Sequence, residues 1–397
     1  MIWFWLGFLA LVTTFLALDL GVFHRKAHAV SIKEALIWSV VWVTTSLLFS
    51  GFIFLAYSNH WLGLGSPNPN SSVPDVAKGL SGTEAFIKYI TGYVIEWSLS
   101  VDNIFVIALI FGYFRIPAKY QHRVLFWGIM GAIVMRGVFI ALGAQLIANF
   151  HWIIPVFGLF LVYTAFKMLM SDDEADPSKS WALKQLYKRF PVTDTLHGTR
   201  FFVYEGEIAA GEAKAAENKS DVPAPREAAT RDVGKPEHVD KANLGRRVLT
   251  PLAVALVIVE VTDLIFAVDS IPAIFGITTD PFLVFTSNIF AILGLRSMYF
   301  ALAGLLHKFH LLKTALALIL GFVGVKMLLG AHRIEHWLNI SHNTYSVLTL
   351  AIILTLLAGG VIASLMFPKA APTEGEHLAA EATDEEKRAD ATETGHG

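Results

Sequence analysis

Residues 248–275 read VLTPLAVALVIVEVTDLIFAVDSIPAIF, an almost unbroken apolar run that nevertheless contains Glu260, Asp263 and Asp269. A helix crossing roughly 30 Å of hydrocarbon needs about 20 mainly apolar residues, and this run is long enough. Thr250 before Pro251 supplies its start, an N-cap followed by a first-turn proline. An acid at the centre of such a helix costs about 2.5–3.5 kcal/mol on insertion scales. Oily length and misplaced acidity recur along the chain.

Eight further segments have the same character: approximately 2–23, 35–57, 84–112, 124–148, 152–171, 282–305, 311–330 and 345–367. Their Phe, Leu, Val and Ile runs fit helices rather than the ten-residue alternation of a membrane barrel. Ser31-x-x-Glu34 and Ser81-x-x-Glu84 read as capping boxes, and Asp280-Pro281 as another helix start. The expected fold is an all-α polytopic membrane protein of about nine transmembrane helices. Composition agrees: 54% of the 397 residues are apolar and 16% charged, against about 25% charged in soluble domains. That balance disfavours a water-soluble enzyme or a nucleic-acid binder, and a net charge of -2 offers no broad basic surface. The chain has no cysteine, so disulfides, iron–sulfur clusters and thiolate chemistry are excluded. Any bound metal must sit on oxygen or imidazole.

The charges are concentrated outside the apolar segments, with 27 in residues 172–247 and 11 in 368–397, which leaves 26 for the rest. Residues 172–247 are expected as a cytoplasmic charged loop. Its half beyond about residue 206 is a solvated linker by composition, and its first half is rich enough in aromatics for a small subdomain. The loop is a candidate surface for cytosolic or membrane protein partners, and 368–397 is expected as a disordered acidic tail. Lys and Arg cluster after the first, third and seventh segments, which places those loops in the cytoplasm. The N-terminus is then outside and the C-terminus inside. The first segment lacks a basic start and a clear cleavage site and is expected to stay as an anchor.

Aligning Asp102 with Asp269 pairs Val101 with Val268, Ile104 with Ile271 and Ile107 with Ile274, and sets Glu96 opposite Asp263. With one loop-length change, Arg136 meets Arg296 and Lys167-Met168-Leu169 meets Lys326-Met327-Leu328. Residues 84–171 and 248–330 therefore read as two related three-helix units, following two helices in 1–57 and followed by a ninth in 345–367. Three is odd, so the second unit enters the membrane inverted. That plan recurs in secondary transporters, whose site lies near the midplane between the halves.

Glu96, Asp102, Arg136, Glu260, Asp263, Asp269 and Arg296 all fall inside apolar segments. Five carboxylates against two guanidiniums leave an acidic surplus that a divalent cation would reduce and an oxyanion would not tolerate. Residues six apart on a helix are turned by roughly 120° and displaced about 9 Å. The acids of one helix cannot converge on one ion unless the helix breaks, and Pro272 offers such a break beside the carbonyl of Val268. The expected inner ligands are Asp102, Asn103, Asp269 and Ser270, with Glu96 and Asp263 as an outer layer or proton path. Arg136 and Arg296 are charge partners, and Glu260 is either a partner of Arg296 or a further ligand. The competing reading is a set of structural Asp–Arg bridges, which leaves the acidic surplus unexplained. The all-oxygen centre suits Mn, Ca or Mg. No permanently bound cofactor is expected, and no nucleotide or hydrolase motif is present. Loop histidines such as His336 and His342 are candidates for collecting metal at an entrance, and Lys167 and Lys326 for snorkelling at helix ends.

Glu96-Trp-Ser-Leu-Ser-Val-Asp102-Asn103, Glu260-Val-Thr-Asp263 through Asp269-Ser270-Ile-Pro272-Ala, and Ser287-Asn-Ile-Phe-Ala-Ile-Leu-Gly-Leu-Arg296 resemble the TerC/Alx family of integral membrane proteins. The resemblance extends over roughly 1–367. It implies a bacterial inner-membrane protein associated with tellurium resistance and, in the Alx-like branch, with manganese export and alkaline-pH response. The family's acidic and Asn/Ser motifs fall on Glu96, Asp102, Asn103, Asp263, Asp269 and Ser270. Charge favours a cation over tellurite, so the expected function is export of a hard divalent cation, Mn2+ first. The rivals are a Ca2+/H+ antiporter and a non-transporting scaffold or stress-response subunit.

Overall fold

The computed structural model describes residues 2–18, 31–150, 152–170, 181–193, 195–206, 246–302 and 311–367. In chain order the helices are α1 (Ile2–Leu18), α2 (Ile32–Ser58), α3 (Pro74–Lys78), α4 (Gly82–Tyr113), α5 (Ala118–Asn149), α6 (Ile153–Met170) and α7 (Trp181–Arg189). They continue, after a two-stranded sheet, with α8 (Pro251–Phe275), α9 (Pro281–Leu293), α10 (Leu295–Leu302), α11 (Leu312–Leu329), α12 (Ala331–Leu338) and α13 (His342–Met366). The sheet pairs β1 (Phe202–Tyr204) with β2 (Arg247–Leu249) in antiparallel register.

The chain is an all-α polytopic membrane protein. Among the described residues, seven helices are singly long and apolar enough to cross a bilayer, and the pair α9 and α10 makes an eighth if counted as one bent span. The expected segment 282–305 is therefore not one straight rod: it bends by 40° where Gly294 separates the two helices. The first segment reaches only Leu18 as helix, 17 residues, and 19–30 lie outside the described residues. Also outside are 207–245 and 368–397, on which the linker and tail expectations fall.

Local chemistry sets the starts. Ser31, Ser81 and Thr250 each accept a hydrogen bond from the backbone N–H three residues on, and Asp280 accepts from Phe282 and Leu283. Every helix start named from the sequence is thus capped by the expected side chain. The outer faces are apolar, with Leu48 72% and Ile265 61% exposed, which suits lipid and would be costly in water.

The helices of the two expected units pack crosswise. In the bundle α4 lies on α9, α5 on α8, and α6 on α11, while α4 also meets α8. The α6–α11 contact is close because both surfaces carry glycine: a Cβ at Gly324 would fall 2.7 Å from the Gly158 carbonyl. Helix α8 runs unbroken through Pro272 to Phe275, so the expected break is not there. Asp263 and Asp269 consequently face different neighbours.

Candidate functional site

At the centre of the bundle, Arg136 of α5 and Glu96 of α4 are almost wholly removed from solvent, at 1% and 0% exposure. They form a direct ion pair. Arg136 also donates from Nη2 to Asp263 Oδ1 at 2.9 Å and from Nε to Asp263 Oδ2 at 3.4 Å, and Nη1 lies 3.3 Å from Ser270 Oγ. Asn288 of α9 donates to Glu96 Oε2 at 3.1 Å. A buried guanidinium requires such a complete set of partners, because a charge left unpaired in low dielectric is expensive.

Beside this knot lies a cavity of about 40 Å³, lined by Glu96, Asp102, Asn103, Arg136, Thr164, Asp269 and Ser270. Leu99, Met168, Phe266 and Leu320 complete its wall. A water-sized occupant fits this volume. Asp102 comes from α4 and Asp269 from α8, one from each expected unit. Asp269 accepts a hydrogen bond from Thr164 at 3.2 Å, and neither aspartate has an ion pair within 4.0 Å among the described residues. Asn103 donates to Asp263 at 3.4 Å, and its buried Oδ1 has no hydrogen-bond partner.

Five of the six expected ligands, Glu96, Asp102, Asn103, Asp269 and Ser270, thus line one cavity, whereas Asp263 serves Arg136 from its edge. Among the described residues no three His, Asp or Glu side chains are gathered as a ready-made metal cage. The cavity instead offers two carboxylates free of salt bridges together with neutral oxygens. Arg296 is buried in α10, apart from the cavity lining. Glu260 does not pair with it: its carboxylate lies against Gly131 of α5, where a Cβ would come within 2.0 Å of Oε1.

Sequence reasoning missed Asn288 and Thr164. Asn288 is an amide in an apolar segment and carried a usable signal. Thr164 carried none, since helix threonines commonly bond their own backbone.

A second polar network occupies the end of the bundle near α3. Lys88 of α4 pairs with Asp75 at 3.0 Å and Glu84 at 3.2 Å, and His342 lies 2.8 Å from Glu84 and also pairs with Glu335. Lys326, expected to snorkel, is instead buried over the Tyr345 ring at 4.9 Å, because the ring face attracts the ammonium. Asp75 accepts from the Thr278 hydroxyl at 2.6 Å and the Thr279 N–H at 2.8 Å, tying α3 to the turn before α9. Burial opposes the charged form of Asp75, but Lys88 and these hydrogen bonds outweigh it and hold the carboxyl below its ordinary value. A carboxyl depressed in the folded state stabilises fully above the unfolded value of about 4 and loses that contribution as pH falls through the folded value. Thermal unfolding between pH 7 and pH 3 is expected to show a steeper acid loss for the parent than for Asp75→Asn; superimposable profiles would refute the tie.

A many-span helical membrane protein built round a buried ionic knot is the class that fold and site define. The chain belongs to the Integral membrane protein TerC family, which it matches over residues 81–371, as the motif resemblance led one to expect. It is 42% identical over 370 residues to the "Uncharacterized membrane protein STKORF319" of Myxococcus xanthus, covering 93% of this chain and 94% of that one. It is 40% identical over 327 residues to the protein named "Putative membrane-bound redox modulator Alx" in Photorhabdus laumondii and in Escherichia coli K12, covering 82% of this chain and 85% of each relative. No solved structure matches the chain.

Proposed function

We propose that the protein exports a hard divalent cation, Mn2+ first, across the bacterial inner membrane, with the N-terminus outside and the C-terminus in the cytoplasm. One observation carries the reading: Asp102 and Asp269, from different halves, line one cavity with no ion pair within 4.0 Å among the described residues, while Glu96 and Asp263 share Arg136. Two carboxylates without a salt bridge match the charge of one divalent ion, with Lys313 and Lys167 acting on them only at longer range. The orphaned Asn103 Oδ1 supplies a further oxygen, and hard cations take oxygen donors. The apolar residues of its wall lower the local dielectric and strengthen the attraction.

The crosswise packing of α4–α6 on α8–α11 supports an inverted repeat in which the halves rock about the shared cavity. Exchange of the cation for protons on Asp102 and Asp269 keeps the site neutral on the return step. The relatives' printed name invites a redox reading; with no cysteine in this chain, such a role would not run through its own thiols.

The test is Mn2+ flux in vesicles containing the purified chain. The expected result is protein-dependent Mn2+ movement, reduced by excess Mg2+ less than by unlabelled Mn2+ and accompanied by counterflow of protons. A stronger response to Ca2+ reassigns the cargo. Absence of any divalent flux contradicts transport.

A further inference from the structure

The stretch between the two halves carries a surface that cation transport does not use. Helix α7 docks by Leu183 into the apolar cluster formed by Ile110, Phe111, Leu125, Leu249 and Leu252 at one end of the bundle. Strand β2 runs directly into the N-cap of α8, where the Thr250 hydroxyl donates to the Arg200 carbonyl at 2.8 Å and the Thr250 N–H to the Phe201 carbonyl at 3.0 Å. The module is therefore held at the level where a membrane-spanning helix leaves the hydrocarbon.

Its outward side is both aromatic and basic. Trp181 is 73% exposed and Phe202 60%, with Phe190 and Tyr204 also exposed. The pleat accounts for the last pair: Val203 is buried between Phe202 and Tyr204, which share the opposite face. Arg247, opposite Tyr204 in the sheet, lies over its ring at 5.9 Å. Over 181–206 and 246–249 the sequence has Lys184, Lys188, Arg189, Arg200, Arg246 and Arg247 against two acids, Asp194 and Glu205. The whole chain, by contrast, has a net charge of -2. Aromatic rings belong at the headgroup level, and clustered Lys and Arg next to a membrane span attract anionic lipid.

We propose that α7 with β1 and β2 is an interfacial anchor that binds the anionic headgroups of the leaflet on its side of the membrane. Headgroup phosphates meet Lys184, Lys188, Arg189, Arg246 and Arg247, while Trp181, Phe190 and Phe202 enter the boundary with the acyl chains. Charge complementarity and continuity with the α8 span favour lipid over an acidic protein. The position suits a lipid-dependent brace for α8, the helix that carries Asp263 and Asp269.

Because the chain has no cysteine, Phe190→Cys gives a unique attachment point for an environment-sensitive fluorophore in the full-length protein. The expected result is a blue-shifted emission and a several-fold loss of iodide quenching in vesicles with 30% phosphatidylglycerol, relative to phosphatidylcholine alone. Raising salt toward 1 M, where screening acts within about 3 Å, should abolish the difference without any further substitution. The combined variant Lys184→Gln, Lys188→Gln and Arg247→Gln should also lose it. Equal quenching in both vesicles overturns the proposal: high quenching leaves the face to an acidic protein, and low quenching means that this chain's own acidic run around Asp172 covers it.

Discussion

Replacing Arg136 by methionine is expected to lower the unfolding free energy in detergent by about 3–5 kcal/mol, a large share of what holds a protein folded. The arginine is 1% exposed and serves Glu96 and Asp263 together. Its removal strands two carboxylates, one of them fully buried, and the loss measures their unpaired burial more than the worth of the bridge. Adding Glu96→Gln and Asp263→Asn to Arg136→Met should recover much of the loss, since a neutral cluster has little to desolvate. Non-additivity of this size is the signature of residues sharing one network. A single-variant loss below about 1 kcal/mol would mean that the cluster is hydrated or already protonated, against the burial of Arg136 and Glu96.

Asp102→Asn and Asp269→Asn should behave in the opposite way. Neither aspartate has an ion pair within 4.0 Å among the described residues, so both variants are expected to unfold within about 0.5–1 kcal/mol of the parent. Each should nevertheless weaken Mn2+ binding on the order of 1,000-fold. At an effective dielectric of about 20, one unit charge about 4 Å from another contributes about 4 kcal/mol, and each 1.4 kcal/mol is tenfold in affinity. Isothermal titration calorimetry on detergent-solubilised parent and variants reads the affinity, and denaturant unfolding of the same samples reads the stability. Unchanged affinity with unchanged stability would remove these residues from the site.

The sequence is most legible where a property is local. Apolar length placed the helices, and Ser31, Ser81, Thr250 and Asp280 cap the starts assigned to them. The positions of the central acids were also visible, because ionic residues in apolar runs stand out on composition alone. Partner choice was not. Asp263 and Asp269 lie on one helix, turned well apart, but only the neighbours decide that Asp263 meets Arg136 and Asp269 meets Thr164. Glu260 illustrates the limit: its place depends on the absent side chain of Gly131 on another helix. The bend at Gly294 was hidden because a glycine in an apolar segment signals close packing and kinking equally well. Asp75 and Thr278 are some two hundred residues apart in sequence, and no periodicity links them. Pro272 was given more weight than it bears: a proline one turn from a helix end removes a hydrogen bond without interrupting the helix.

The most direct measurement is anomalous diffraction at the manganese edge from crystals of the full chain grown with Mn2+. The account predicts one principal peak between α4 and α8, within coordination distance of carboxylate oxygens of both Asp102 and Asp269. A cavity without metal, or manganese held solely by side chains elsewhere, would contradict it.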